Sequence, residues 1–303
     1  MKIVVAGGTG LIGQALVPDL VKRGHQVWVL SRQPGQVGLP DGVQAVGWDA
    51  KSPQGWEGVA AEADAMINLA GANIGARPWT NERKRLIRDS RVNAGQAIVA
   101  ALREAGQRPR VVLQIAGVGY YGDRGDEPLD ESAAPGNDYL ARVAADWENS
   151  TQAVEALGVR RVVLRAGVVL ARKGGVLAPF VLQNRLFAGG PLGSGRQWIS
   201  WIHILDLVHA FNFFLENQEA QGVINVTSPE PVTNVVFGRT VAQVMHRPFW
   251  APAPAFALRA VLGEMSTLVL DGQRVLPKRL LEMGFRFEFG ELKKALEDLL
   301  ASG

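Results

Sequence analysis

One short segment restricts the fold more than any other: the apolar run Lys2-Ile3-Val4-Val5-Ala6 passes directly into Gly7-Gly8-Thr9-Gly10-Leu11-Ile12-Gly13. The run reads as a buried parallel strand, and the glycines as the turn that leads from it into a helix. Each glycine has a task. Gly7 permits the tight turn, Gly10 lets the backbone approach a pyrophosphate, and Gly13 allows close packing of the helix, whose N–H groups and dipole face the anion. Apolar spacing at Leu11, Ile12, Ala15, Leu16 and Leu20 makes the following segment an amphipathic helix. Gly24 ends it, and a second strand follows at Gln26-Val27-Trp28-Val29-Leu30.

That second strand ends in Ser31-Arg32, where such a fold meets the adenosine ribose. An acidic residue there suits the 2′-hydroxyl of NAD, whereas a hydroxyl and an arginine suit a 2′-phosphate, so NADP(H) is the expected cofactor. Asp49, after a third strand at Val43–Trp48, either reaches the adenine amino group or caps a turn.

Strand and helix patterns keep alternating. Strands are expected at Ala65–Ala70, Arg110–Ile115 and Arg161–Arg165, and helices at Thr80–Glu104 and Asn137–Leu157. Alternation of this kind predicts an α/β fold, a Rossmann-type doubly wound parallel sheet. Ligands bind such sheets at the carboxyl ends of strands, so Ala70-Gly71, the segment after Ile115 and Arg165-Ala166-Gly167 are expected to share a crevice. The expected division is a Rossmann domain over 1–170, to which 198–227 returns, and a smaller substrate domain from 171–197 and 228–303.

Composition narrows the function. The 303 residues are 47% hydrophobic and 20% charged, which is ordinary for a globular enzyme. A formal charge of +3 and dispersed arginines do not argue for nucleic acid, while a sequence pI near 9.3 is compatible with an anionic small-molecule substrate. Arg83, Lys84, Arg85, Arg88 and Arg91 fall along one predicted helix and read as a solvated face. Cysteine is absent, which excludes disulfides and thiol catalysis, and the four histidines show no ligand spacing for a metal. No apolar run reaches membrane-spanning length and the chain opens directly into a strand, so a soluble, cytoplasmic protein is expected.

Taken together, Gly7–Gly13, Asn68-Leu-Ala-Gly71, Gly119-Tyr-Tyr-Gly122, Trp201-Ile-His203 and Asp206 resemble an extended short-chain dehydrogenase/reductase. Gly189-Gly-Pro-Leu-Gly-Ser-Gly-Arg-Gln197 and Asp271-Gly-Gln-Arg-Val-Leu-Pro-Lys-Arg279 resemble, more narrowly, the sugar-nucleotide-epimerase-like group of the NAD-dependent epimerase/dehydratase family, which carries a C-terminal domain of unknown function. The likeness spans essentially the whole chain. It implies that Gly7, Thr9, Gly10, Leu11 and Ile12 surround the pyrophosphate, that Ser31 and Arg32 lie by the 2′-phosphate, that Ala70 and Gly71 lie beside the riboses, and that Arg165 approaches the nicotinamide end.

The catalytic pattern of that family is incomplete here. Hydride-transferring members hold the substrate oxygen with a serine or threonine, and use a tyrosine made more acidic by a lysine four residues on. Tyr139 is followed at that distance by Val143, and Ala116 stands near the usual serine place. Arg142 supplies the charge only if the helix turns it inward. Two readings follow. In one, the protein is an oxidoreductase or epimerase with a rearranged acid, Tyr120, Tyr121 or Tyr139, and with Arg196 or His203 holding a phosphorylated or nucleotide-linked substrate. In the other it binds NADP(H) without turnover, as a sensor or partner-binding protein. Several of these side chains also have plain structural readings: the tyrosines as crevice wall, His203 and Asp206 as caps of a strand-to-helix junction, and Arg196 as a surface cation.

Overall fold

Short runs of Val, Ile, Leu and Ala, buried on both faces, build the centre of the molecule. The computed structural model describes residues 1–36, 38–172 and 174–300. Within it, β1 (Lys2–Ala6), β2 (Gln26–Ser31), β3 (Gln44–Gly47), β4 (Ala65–Asn68), β5 (Val111–Gly117), β6 (Arg160–Ala166) and β7 (Gly222–Val226) form a parallel sheet in the order β7-β6-β5-β4-β1-β2-β3. Every neighbouring pair in it is parallel. The expected Rossmann-type doubly wound sheet is therefore present, with the strand order reversing between β1 and β4.

The pleat sends alternate residues to opposite faces. Ile3, Val5, Val27 and Val29 pack on one side with Leu16 and Leu20 of α1 (Leu11–Lys22). Phe211 and Phe214 of a later helix, Ile204–Glu216, join that side. Val4, Ala6, Trp28 and Leu30 face the other way, onto Ala94, Ala97, Ile98 and Leu102 of α2 (Asn81–Glu104). Burying each of the larger side chains contributes roughly 1.5–3 kcal/mol, so these two layers hold the strand ends in fixed relation.

Local chemistry sets the helix ends. α2 starts where the Thr80 hydroxyl accepts from the Arg83 N–H, and α3 (Tyr139–Asn149) where the Asp138 carboxylate accepts from Ala141. The single helix expected over Asn137–Leu157 is divided: α3 stops at Asn149, and a 3₁₀ turn covers Gln152–Leu157. The Ser150 hydroxyl donates to the Trp147 carbonyl at 2.6 Å, giving the backbone a local alternative to continued helix.

The C-terminal part has its own apolar centre, in which Trp201, Phe237 and Val241 meet Phe289, Leu292 and Leu296. It is tied to the sheet at several places. Arg274–Val275 pairs in parallel with Pro128–Leu129, and Glu131 accepts from the N–H groups of both Asn225 and Arg279. Glu131, at the end of the acidic stretch 126–131, thus serves as an attachment point. Among the described residues, no helix is long and apolar enough to cross a membrane.

Candidate functional site

At the reversal between β1 and β4, two turns touch. Gly7 has φ +77°, and a Cβ on it would fall 2.7 Å from the Leu69 carbonyl, so a side chain is excluded on both counts. Gly13 is equally constrained, because its Cβ would lie 2.4 Å from the Gly8 backbone. Gly10 differs. A Cβ there would meet only the Gly7 oxygen, at 3.4 Å, and the space before it is open.

Behind Gly10, α1 begins with no side-chain cap and no acidic residue in its first turn. The N–H groups of Leu11 and Ile12 have no protein acceptor among the described residues. A helix start with free donors, a positive dipole end and an open approach is suited to an anion. From this turn a cleft of about 440 Å³ extends past Thr9, Gln14, Val17, Gln36 and Leu39.

Ser31 ends β2, its hydroxyl accepting from the Gln33 N–H at 3.1 Å. Arg32, next in sequence, is exposed and forms no ion pair among the described residues. Asp49 takes the turn-capping alternative, accepting from Lys51 N, Ser52 N and Ser52 Oγ. Those bonds hold its carboxyl below the ordinary value.

The wall after β4 is fastened by α2. Asn68 bonds Gln114 and receives the Ala70 N–H. Ser90 Oγ accepts from Ala72 N at 2.9 Å, while Arg91 Nη1 donates to Ala72 O at 3.0 Å and to Ile87 O at 2.8 Å. Gly71 lies against the Arg91 guanidinium, since a Cβ there would be 3.0 Å from Cζ. The basic helix expected to present a solvated face is therefore split: Arg85 and Arg88 are exposed, whereas Arg83, Lys84 and Arg91 are part-buried along this wall.

Tyr139 stands near the same wall. Its hydroxyl donates to the Lys84 carbonyl at 2.8 Å, and its ring meets Trp79 edge-on at 5.1 Å. Burial raises its pKa, opposed by Arg91 and Arg83. Arg142 does not turn inward; it is exposed and donates to the Asn137 carbonyl.

Three other expected site residues have buried side chains with protein partners. Tyr121 is fully buried, donates to Asn225 Oδ1 at 2.7 Å and is raised in pKa by burial. Arg165 is 4% exposed, with its guanidinium bonded to Glu148 and Tyr121. His203 is also fully buried: Nδ1 caps the 204–216 helix by accepting from Leu205 N, and the ring stacks on Phe289 at 3.9 Å. Burial lowers its pKa, so the imidazole is neutral at pH 7. Asp206 has the structural role as well, accepting from the N–H groups of Glu288 and Phe289. Tyr120, half-buried, packs over the Arg165 guanidinium at 3.3 Å from its ring centroid. Arg196 is exposed in the glycine-rich loop, unpaired among the described residues.

A reversing parallel sheet with an open glycine turn at its switch point defines a Rossmann-type nucleotide-binding protein. Residues 3–227 match the NAD dependent epimerase/dehydratase family, and 253–299 match a domain of unknown function, DUF1731. The chain belongs to the NAD dependent epimerase/dehydratase family. Epimerase family protein YfhF of Bacillus subtilis (strain 168) is 40% identical over 99% of this chain and 98% of its own length. Epimerase family protein SA0724 of Staphylococcus aureus (strain N315) is 39% identical over 99% of both. Among solved structures, the human epimerase family protein SDR39U1 (isoform 2), crystallised with NADPH, superposes with a TM-score of 0.88 at 33% identity, covering all of both chains. The UDP-N-acetylglucosamine 4-epimerase of Bacillus cereus shares the fold, with a TM-score of 0.78 at 17% identity over all of both chains.

Proposed function

We propose that the protein is an NADP(H)-dependent enzyme of oxidoreductase or epimerase type, acting on a phosphorylated or nucleotide-linked small molecule. The observation that carries the reading is the uncapped start of α1 behind Gly10, with Arg32 just after β2 exposed and without an ion pair among the described residues. The similar human protein, crystallised with NADPH, supports the same cofactor.

In this reading Gly7, Thr9, Gly10, Leu11 and Ile12 hold the pyrophosphate through backbone donors, Ser31 and Arg32 bind the 2′-phosphate, and Ala70-Gly71 borders the riboses. The bound cofactor supplies hydride chemistry. Tyr139 is the proton donor of choice, because its phenol is only part-buried while Tyr121 is sealed in and Tyr120 is stacked on Arg165. A raised pKa keeps that phenol protonated at neutral pH, as a donor must be. Arg196 binds an anionic part of the substrate. A cytoplasmic location belongs to the same proposal, and recovery of the protein in a membrane or extracellular fraction would overturn it.

A second reading, NADP(H) binding without turnover, is favoured by Ala116, which has no hydroxyl, and by the protein acceptors already engaging Tyr121 and Tyr139. Nicotinamide absorbance followed with sugar nucleotides, sugar phosphates and small carbonyl compounds separates the two. Substrate-dependent oxidation or reduction that is lost in Tyr139→Phe supports the first. Turnover that survives that substitution removes Tyr139 from the chemistry, and tight NADPH binding with no turnover or stereochemical change across the panel supports the second.

A further inference from the structure

In place of the lysine one turn after Tyr139, α3 carries Val143, which is 5% exposed. Tyr139, Val143 and Trp147 are spaced by four and share one face of the helix. The indole of Trp147 lies under a cation from the neighbouring helix: Arg91 Cζ is 4.7 Å from its ring centroid. The same guanidinium donates to the Ile87 carbonyl at 2.8 Å, and the Tyr139 hydroxyl donates to the Lys84 carbonyl at 2.8 Å. Those two carbonyls are three residues apart on one α-helix, so their oxygens are separated by roughly 5 Å. Arg91 and Tyr139 are therefore neighbours across the α2–α3 contact, at the level where residue 143 has no charge to offer.

Arg91 has no carboxylate partner among the described residues; its contacts are two carbonyls and the Trp147 face. A cation held in this way keeps its field for whatever else lies beside it. Although burial lowers Arg91 to about 10, it remains charged at neutral pH.

We propose that Arg91, reaching over from α2, supplies the positive charge that Val143 cannot, and acts as the positioning residue for the Tyr139 phenol. This rests on the reading of Tyr139 as proton donor. When the proton leaves the Tyr139 oxygen for a substrate oxygen that is gaining negative charge, the phenolate left behind is balanced by the guanidinium until solvent returns a proton. Other groups also face this phenol. Arg83 assists Arg91, Asp89 and Glu264 oppose them, and Lys84 Nζ lies 5.1 Å from the ring centroid while paired with Glu264.

Replacing the chain's three tyrosines biosynthetically by a polyfluorinated tyrosine brings the phenols down to the near-neutral range in which Arg91 is charged, and subtracting the ultraviolet titration of Tyr139→Phe then isolates the phenol at position 139. In folded protein, Arg91→Met is expected to move that titration up by about 1 pH unit, Arg91→Lys to leave it near the parent value, and Arg91→Met with Val143→Lys to bring it back. Arg91→Gln, which keeps a donor for the carbonyls, serves as a second uncharged variant, and circular dichroism at each pH confirms folding. An unchanged Tyr139 titration in the uncharged variants overturns the proposal. Because neither substrate nor cofactor is present, this outcome is independent of whether Tyr139 proves to be the acid in turnover.

Discussion

Arg165 and Glu148 face each other side-on, Nε to Oε1 at 2.7 Å and Nη2 to Oε2 at 2.8 Å, with both side chains shut away from solvent. The third guanidinium nitrogen donates to the Tyr121 hydroxyl at 3.0 Å, which donates in turn to Asn225. Rows of the sheet explain the meeting: Arg165 is in register with Ala116 on one side and Asn225 on the other. A bidentate pair with its remaining donor satisfied is stable when buried, and costly to break from one side.

Replacing Glu148 by Gln therefore leaves a buried, uncompensated guanidinium, and a loss of about 3–5 kcal/mol in urea unfolding is expected. Tyr121→Phe should cost about 1–3 kcal/mol, with cofactor affinity unchanged. Loss of NADPH binding in Tyr121→Phe without loss of stability would return that tyrosine to the site.

The glycine turn gives a separable pair of outcomes. Gly13→Ala forces a methyl to within 2.4 Å of the Gly8 backbone and should lower the melting temperature strongly. Gly10→Ala meets nothing closer than 3.4 Å, so the fold should persist while NADPH affinity falls. Equal thermal losses in the two variants would show that Gly10 is structural rather than an approach for phosphate.

Acidification provides a third test. Burial lowers the folded-state pKa of His203 below its ordinary 6.5. The unfolded chain therefore takes up this proton first, and the contribution of His203 to stability is full above pH 6.5 and declines as pH falls below that value. It levels off below the folded-state pKa. His203→Gln should flatten this part of the stability profile without altering cofactor binding at pH 7.5. A profile unchanged by the substitution would show that His203 titrates alike in both states.

Much of this was legible in the sequence because backbone-dominated features leave strong marks. Apolar runs with intervening helices gave the doubly wound sheet, Thr80 marked the start of α2, and the Gly7–Gly13 spacing placed a turn whose steric demands the structure reproduces. Side-chain partnerships between distant segments left no such mark. Glu148 is an ordinary acidic residue in sequence until strand register brings Arg165 to it, and His203 becomes a sealed cap only once Phe289 arrives from 86 residues along the chain. Arg91 was hidden for a related reason. Charges at 83, 84, 85, 88 and 91 look like one solvated stripe, and only the packing of α2 against α3 sorts the half-buried from the exposed. Its separation of seven from Lys84, two helical turns, is the sequence signal that groups it with the Tyr139 acceptor.

Calorimetric titration of NADPH and NADH into the parent protein and Arg32→Asp asks whether the glycine turn and Arg32 together bind NADP(H). The parent is expected to prefer NADPH by at least about tenfold, roughly 1.4 kcal/mol, and Arg32→Asp to remove the preference chiefly by weakening NADPH. Equal affinity for the two cofactors in the parent, or a preference that survives Arg32→Asp, would contradict it.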